Sequence, residues 1–408
     1  MAANMGARMR RFAFVSSNVS WGGSEDLWSE AAIALARAGH IVTAYKNVLD
    51  PHEDAVARLR DAGCRIVELA RVPVFPRTDN PLLARLPYPL TFGWQASRLW
   101  LALKARRRPD LVVVSQGGNH DGWLFANVCR RLGYPYALIS QKATDLYWPV
   151  DGRRKWMRSA YEGARHAFFV SDRNRRLTEE QLGAPLARAS VVRNPFKVPW
   201  RPQLGWPGTD LGYRFACVGR IWVMEKGQDI LLRVLARDKW RARPVGLSLY
   251  GAGANAEGLE AMAAYQGLDN VRFAGFTDDV QAIWASHHAL VMPSRAEGLP
   301  LALVEAMLCA RVAIATDVAG SGEAVADNVT GFLAAAASED ALDEAMERAW
   351  QRREDWPRIG ARAADAIRRL VPPDPAGELA KQLLRLAEGG ALEPEASARA
   401  AEPLAGSR

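Results

Sequence analysis

The chain has 408 residues, 49% of them hydrophobic and 24% charged, which is ordinary globular chemistry and excludes a disordered polymer. Lysine and arginine number 53 against 45 acidic residues, a net charge of +8. That excess favours an anionic ligand or an anionic membrane surface and is too mild to mark a nucleic-acid binder. A chain of this length is expected to form two α/β domains rather than one.

Cys64, Cys129, Cys217 and Cys309 are widely spaced and form no C-x-x-C pair, which argues against a zinc knuckle or a disulfide framework and fits a reducing compartment. After Arg8, Arg10 and Arg11 only Phe12–Val15 is apolar, too short for a signal peptide. No stretch approaches the roughly twenty residues of a membrane span. The expectation is a soluble, cytoplasmic protein with a loose leader over residues 1–9.

In chain order, Arg11–Ser16 reads as a strand, followed by the Gly-bearing turn Asn18–Gly23. Ser24 is expected to cap a helix carrying Leu27, Ala31 and Leu35 on one face, with Gly39 ending it. Strands are expected at Ile41–Tyr45, Cys64–Leu69, Leu111–Ser115, Tyr136–Ser140, His166–Val170 and Ser190–Val192. The stretch from Asn194 to Tyr213, with Pro195, Pro199, Pro202 and Pro207, has no helical period and reads as a linker. Alternation resumes with strands at Arg214–Gly219, Val245–Gly251, Val271–Gly275, Leu290–Pro293 and Val312–Thr316. From Glu339 to about Glu388 the pattern is helical, broken at Pro372-Pro373, and an Ala-, Glu- and Pro-rich tail follows.

Two segments carry chemistry. In Met292–Met307 a strand ends at Pro293 and a helix is expected to start near Pro300, a favoured first helical position. The backbone N–H groups of Gly298, Leu299 and Leu301 then lie near a helix N-terminus, which suits a phosphate or a hydroxyl. Glu297 sits in the loop and Glu305 in the apolar run Leu301–Leu308, where an unpartnered carboxylate is costly. In Phe215–Gly227 a strand ends at Gly219 and a cationic loop brings Arg220, a rigid fork, and Lys226, a point charge. Both are suited to a diphosphate leaving group.

Taken together, these segments resemble the retaining glycosyltransferases of family four, the group 1 glycosyl transferases. Glu297 and Glu305 match their E-x7-E motif, and Arg220 and Lys226 their G-R…K-G loop. The likeness extends to Leu249–Gly253, Val271–Gly275 and Asn328–Phe332, and to Gly22-Gly23 and Gly39-His40 as the acceptor-side loop and helix end. The resemblance implies the α/β GT-B fold, two Rossmann-like domains with parallel sheets facing across a cleft. The domains expected are 10–195 for the acceptor and 213–370 for the donor, joined by a linker at 196–212. A helix near 375–388 would return to the first domain, and 389–408 would be a disordered tail.

By the same resemblance Glu305 binds ribose hydroxyls and Glu297 the transferred sugar. Arg220 and Lys226 hold the diphosphate, Gly298 and Leu299 lie against the donor, and Arg272 and Phe273 lie by the base. Transfer is expected on the front face with retention. The nucleoside-diphosphate sugar is a co-substrate and no resident cofactor is expected. No metal is expected either, since the sequence has no D-x-D triplet. The acceptor would be a glycan, a lipid-linked or a small molecule, as in polysaccharide or glycolipid synthesis.

His120, in Asn119-His120-Asp121, reads either as a residue near the acceptor hydroxyl or as a surface-loop histidine. Gly251–Ala256 resembles a degraded dinucleotide turn, but no acidic residue ends the next strand; Asp278 lies beyond Gly275. An NAD-linked enzyme, a GT-B epimerase or hydrolase, and a non-catalytic binder are the rival readings. Two basic–aromatic stretches, Trp94–Arg108 and Arg153–Arg158, read as helices with cationic outer faces or as contacts for anionic lipid.

Overall fold

The computed structural model describes residues 8–18, 21–50, 53–73 and 94–392. Residues 1–7 of the expected leader, Val19 and Ser20 of the first turn, and the tail from residue 393 lie outside them. The chain divides into two compact units, residues 1–194 with 374–408, and Pro195–Pro373.

The first unit holds β1 (Arg11–Ser16), β2 (Ile41–Lys46), β3 (Arg65–Glu68), β4 (Leu111–Gln116), β5 (Tyr136–Ser140), β6 (His166–Phe169) and β7 (Ala189–Val191). They form one sheet in the order β3-β2-β1-β4-β5-β6-β7, with every pairing parallel. Side chains alternate across β1: Phe12 and Phe14 enter one core with Leu27 and Trp28, while Ala13 and Val15 enter another with Leu103 and Met157. Helices on both faces explain why all six residues of β4 are buried.

The helix Pro375–Ala387 belongs to this unit, burying Leu379, Leu383 and Leu386 against Phe12 and Trp28. Asp374 caps it, accepting the Gly377 N–H at 2.9 Å, and Pro375 fits the first turn.

The second unit holds β8 (Tyr213–Val218), β9 (Val245–Tyr250), β10 (Val271–Gly275), β11 (Ala289–Met292), β12 (Val312–Thr316) and β13 (Phe332–Ala334). Their order is β10-β9-β8-β11-β12-β13, again all parallel. Phe215 and Val291 point into one core and Ala216, Leu290 and Met292 into the other.

One local expectation changes. Ser24 does not cap the first helix, Gly23–Arg37; Gly22 occupies that position, and Ser24 Oγ instead accepts from Asn18 Nδ2 at 3.0 Å. The helix Leu301–Leu308 starts beside Pro300 as expected, with the proline at the cap position, where its ψ of 127° keeps it extended. The proline-rich stretch 195–212 is irregular yet packed. Val198 is buried in the second unit's core, and the buried Arg311 donates to the Gly205 carbonyl at 2.6 Å. β13, only three residues long, had no strand signal in the sequence.

Candidate active site

In the second unit the strand order reverses between β8 and β11. At such a point the two connections leave toward opposite faces, and ligands of open α/β sheets bind in the crevice between them. The loops that leave here are 219–227 after β8 and 293–300 after β11.

The geometry brings Lys226 and Glu297 together. Lys226 Nζ donates to Glu297 Oε1 at 2.6 Å, and the buried Ser294 hydroxyl donates to the same oxygen at 2.7 Å. Arg220, its guanidinium more than half exposed, reaches Glu225 Oε2 at 3.2 Å. The Glu225 carbonyl in turn accepts the N–H groups of Arg295 and Ala296 at 2.7 and 3.1 Å, so one loop carries the other. Beneath them Arg295 grips Asp229 through two hydrogen bonds, 2.7 and 2.9 Å. Burial opposes ionisation of Asp229, but Arg295 and then Arg233 outweigh it and hold the carboxyl below its usual range.

The turn after β9 forms a third wall. Ile221 N–H donates to the Ala252 carbonyl at 2.9 Å, and Asn255 Oδ1 accepts the Val223 N–H at 3.1 Å. Gly251 has φ 138°, and a Cβ there would collide with the Gly219 carbonyl. Gly227, at φ 64°, is equally constrained by the Pro293 carbonyl. Close backbone packing therefore accounts for the glycine at 251 without a dinucleotide.

The other residues singled out in the sequence are spread around this centre. Glu305 is buried on the second turn of its helix, where Oε1 accepts the Lys197 N–H at 2.9 Å. Gly298 accepts the Gly320 N–H at 2.8 Å through its carbonyl, and the Leu299 side chain enters the core. Arg272 is exposed on β10, its guanidinium 3.4 Å from the Tyr250 hydroxyl, whereas Phe273 packs against the core.

Gly22, Gly23 and His120 belong to the first unit, whose order reverses between β1 and β4. Here the structure reveals residues that sequence reasoning missed. Glu25 and Lys46 form a buried ion pair at 2.8 Å. Glu25 also accepts from the Ser16 hydroxyl at 2.7 Å and from Asn18 Nδ2 at 2.8 Å, and Lys46 donates to the Asn18 carbonyl at 2.9 Å. Asp121 accepts from the Ser17 hydroxyl and the Gly118 N–H, both at 2.8 Å. Beside it His120 Nδ1 lies 3.1 Å from Asn119 Oδ1. Desolvation lowers the His120 pKa and raises that of Asp121, each partly offset by the other's charge.

Among the described residues no three His, Cys, Asp or Glu side chains gather as a metal site would require, and no helix is long and apolar enough to cross a membrane. The stretch Arg153–Arg158 lies on the helix Asp151–Gly163, exposed except for Met157, and follows the exposed Leu146, Trp148 and Val150.

Known proteins align with both units. Residues 22–195 match the glycosyl transferase 4-like domain, and residues 212–352 match glycosyl transferases group 1. An uncharacterized glycosyltransferase of Methanocaldococcus jannaschii is 32% identical over 30% of this chain and 34% of its own length. The match to glycogen synthase of Pseudomonas syringae is 26% identical over 43% of this chain and likewise spans about a third of that protein, 36%. The 2-deoxystreptamine glucosyltransferase of Streptomyces kanamyceticus is 27% identical over 68% of this chain and 77% of its own.

Among solved structures, Anabaena HepE in complex with UDP and glucose superposes with a TM-score of 0.71 at 16% identity, covering 92% of this chain and 99% of that one. Sucrose-phosphate synthase of Thermosynechococcus elongatus gives 0.71 at 19% identity, covering 93% and 99%. The fold is GT-B, and with a family match on each of its two Rossmann-like units the chain belongs to the group 1 glycosyl transferases.

Proposed function

We propose that this glycosyltransferase moves a sugar from a nucleoside-diphosphate sugar to a hydroxyl acceptor, with retention and without a metal. The observation that carries the reading is the Lys226–Glu297 pair beside Arg220 at the second unit's switch point. An ammonium has three donors, so Lys226 can keep Glu297 and still meet a phosphate oxygen. Arg220 supplies a planar fork to the same diphosphate. The names of HepE's complexes, with UDP and with UDP-glucose, are consistent with such a donor.

In the proposed step the sugar C1–O bond to the diphosphate breaks as the acceptor oxygen bonds C1 on the same face. The acceptor proton passes to a diphosphate oxygen, and Arg220 and Lys226 stabilise the charge that develops there. Glu297 orients the transferred sugar and Glu305 accepts from the ribose hydroxyls. Gly298, Leu299 and Arg272 border the donor, while His120 and the Gly22-Gly23 loop serve the acceptor.

The test is binding of UDP, GDP and ADP, and of their sugar conjugates, to protein in chelator. One nucleotide family should bind, and Glu305→Ala and the double change Arg220→Ala, Lys226→Ala should each weaken it. In transfer assays the double variant should lose about 10²–10³-fold or more in kcat, and NMR of the product should show the donor's anomeric configuration. Equal binding by wild type and variants, or an inverted product, would refute the assignment.

Contact with an anionic membrane is part of the proposal, on the strength of exposed Trp148 and Val150 beside Arg153, Arg154 and Lys155.

A further inference from the structure

At the opposite edge of the first unit's sheet, where the strands begin, lies a cavity of about 700 Å³. Arg11 opens β1, Ile41 opens β2 and Arg65 opens β3, and all three line it. Arg106 and Arg107, just past the helix Trp94–Lys104, close the far wall. Four arginines and His40 therefore line one cavity, and no Asp or Glu is among its described lining residues. The carboxylate next in sequence, Asp110, is engaged by the Arg11 backbone N–H at 2.7 Å and by the Arg10 guanidinium at 3.7 Å.

The charges act on a common point. Desolvation raises the pKa of Tyr45 in the cavity wall, against the positive fields of Arg106 and Arg65 that oppose the rise. Arg106 Nε is buried and has no hydrogen-bond partner among the described residues. A donor so placed costs free energy until an acceptor arrives, and four like charges around one space repel each other. Both penalties are relieved by one kind of ligand. Guanidinium groups in this arrangement suit tetrahedral oxyanions above carboxylates or halides, because several forks can share the phosphate oxygens.

We propose that this cavity is a second anion site, which binds a phosphate monoester or diphosphate group. Its lining reaches Ala13 on β1 and Tyr45 on β2 but includes neither Ser17, Glu25 and Lys46 nor the 117–121 loop, so it is distinct from the switch-point residues. Occupation would neutralise the starts of β1 and β3 and steady the edge of the sheet that also holds β2, whose far ends carry Ser17 and Lys46.

The experiment uses the full chain carrying Arg220→Ala and Lys226→Ala, so that the donor crevice does not report. Inorganic pyrophosphate and glycerol 3-phosphate are titrated at constant ionic strength, with chloride as control. Saturable binding and a rise in Tm of several degrees are expected. Adding Arg65→Ala with Arg106→Ala should weaken binding at least about tenfold. Because Arg106 is partly buried, the exposed pair Arg65→Ala, Arg107→Ala serves as a second variant, and in an otherwise wild-type chain neither pair should alter nucleotide binding.

Vesicles of phosphatidylcholine with phosphatidic acid form the other arm. Arginine-dependent binding to vesicles but not to the soluble compounds would assign the phosphate to a lipid headgroup; the converse would assign it to a soluble metabolite. Binding in neither arm, or binding that survives both double variants, would overturn the proposal.

Discussion

The two sheets reverse their strand order at corresponding points, and each point holds a lysine–carboxylate pair, yet the pairs are built to opposite specifications. In the first unit Lys46 and Glu25 are 4% and 0% exposed, and their hydrogen bonds to Ser16 and Asn18 tie them to β1 and to the loop that follows it. In the second unit Lys226 is 24% exposed and Glu297 7%, and the neighbouring Arg220 stands mostly in water. A sealed pair fixes backbone, because both charges are held out of water and depend on their protein contacts. A pair with its cation open can exchange part of its contact for a ligand's. The same position in one architecture thus serves as a bolt in one unit and as a grip in the other.

The comparison breaks first at Lys46. Lys46→Met leaves Glu25 buried with only the Ser16 hydroxyl and the Asn18 amide, and removal of one partner from a buried pair costs about 3–5 kcal/mol. Urea unfolding should show that loss, and the double change Lys46→Met, Glu25→Gln should recover much of it, since the uncompensated charge is gone. Equal stabilities for the wild type and Lys46→Met would mean that the pair bolts nothing.

An effect that appears only in acid separates the units from their solvent rather than from each other. Burial pushes His166, in the first unit, and His288, in the second, down to about 4. His288 Nδ1 accepts the Arg214 N–H at 2.9 Å, and His166 Nε2 lies 2.8 Å from the Ser190 hydroxyl, contacts that suit neutral rings. Both folded-state values lie below the unfolded value of about 6.5, so the unfolded chain binds more protons between those limits. Stability is therefore full above about pH 6.5 and falls as the pH drops toward 4, by up to about 1.4 kcal/mol per pH unit for each histidine. Denaturation curves at pH 7.5, 5.5 and 4.5 should show the decline. NMR titration of the two rings in folded protein would locate it, and a ring that titrates near 6.5 would remove its share.

How much of this was legible in the sequence depends on how far apart the cooperating residues lie. Arg220, Lys226 and Glu297 were legible because each sits in the connection that follows a strand, and that position is what a βα pattern gives away. Glu25 was not. In the first turn of a helix an acidic residue has a sufficient local explanation in the helix dipole. Lys46 offered a signal that went unused: it ends an otherwise apolar strand, Ile41–Lys46, where a buried cation needs a partner. Asp121 was seen only as His120's neighbour, since its contact with Ser17 spans 104 residues. The arginine cavity was hidden for the same reason, its walls coming from the starts of three strands and the end of one helix. The Ser24 cap failed because a nearer partner, Asn18, claimed the hydroxyl.

The smallest effect is the one that most sharpens the contrast. Lys226→Met removes the cation from the second pair, and the outcome differs from Lys46→Met on two counts. The ammonium it deletes is partly in water, so its desolvation was never fully paid and little Coulomb energy is lost. Glu297 keeps the Ser294 hydroxyl at 2.7 Å and gains access to water along the path the lysine vacates. Stability should therefore fall by no more than about 1 kcal/mol, while nucleotide binding weakens well beyond that. Measuring urea midpoints for the two lysine variants side by side, with nucleotide affinity for each, separates the roles. If Lys226→Met were as destabilising as Lys46→Met, both pairs would be bolts, and the open cation would need an explanation other than a ligand.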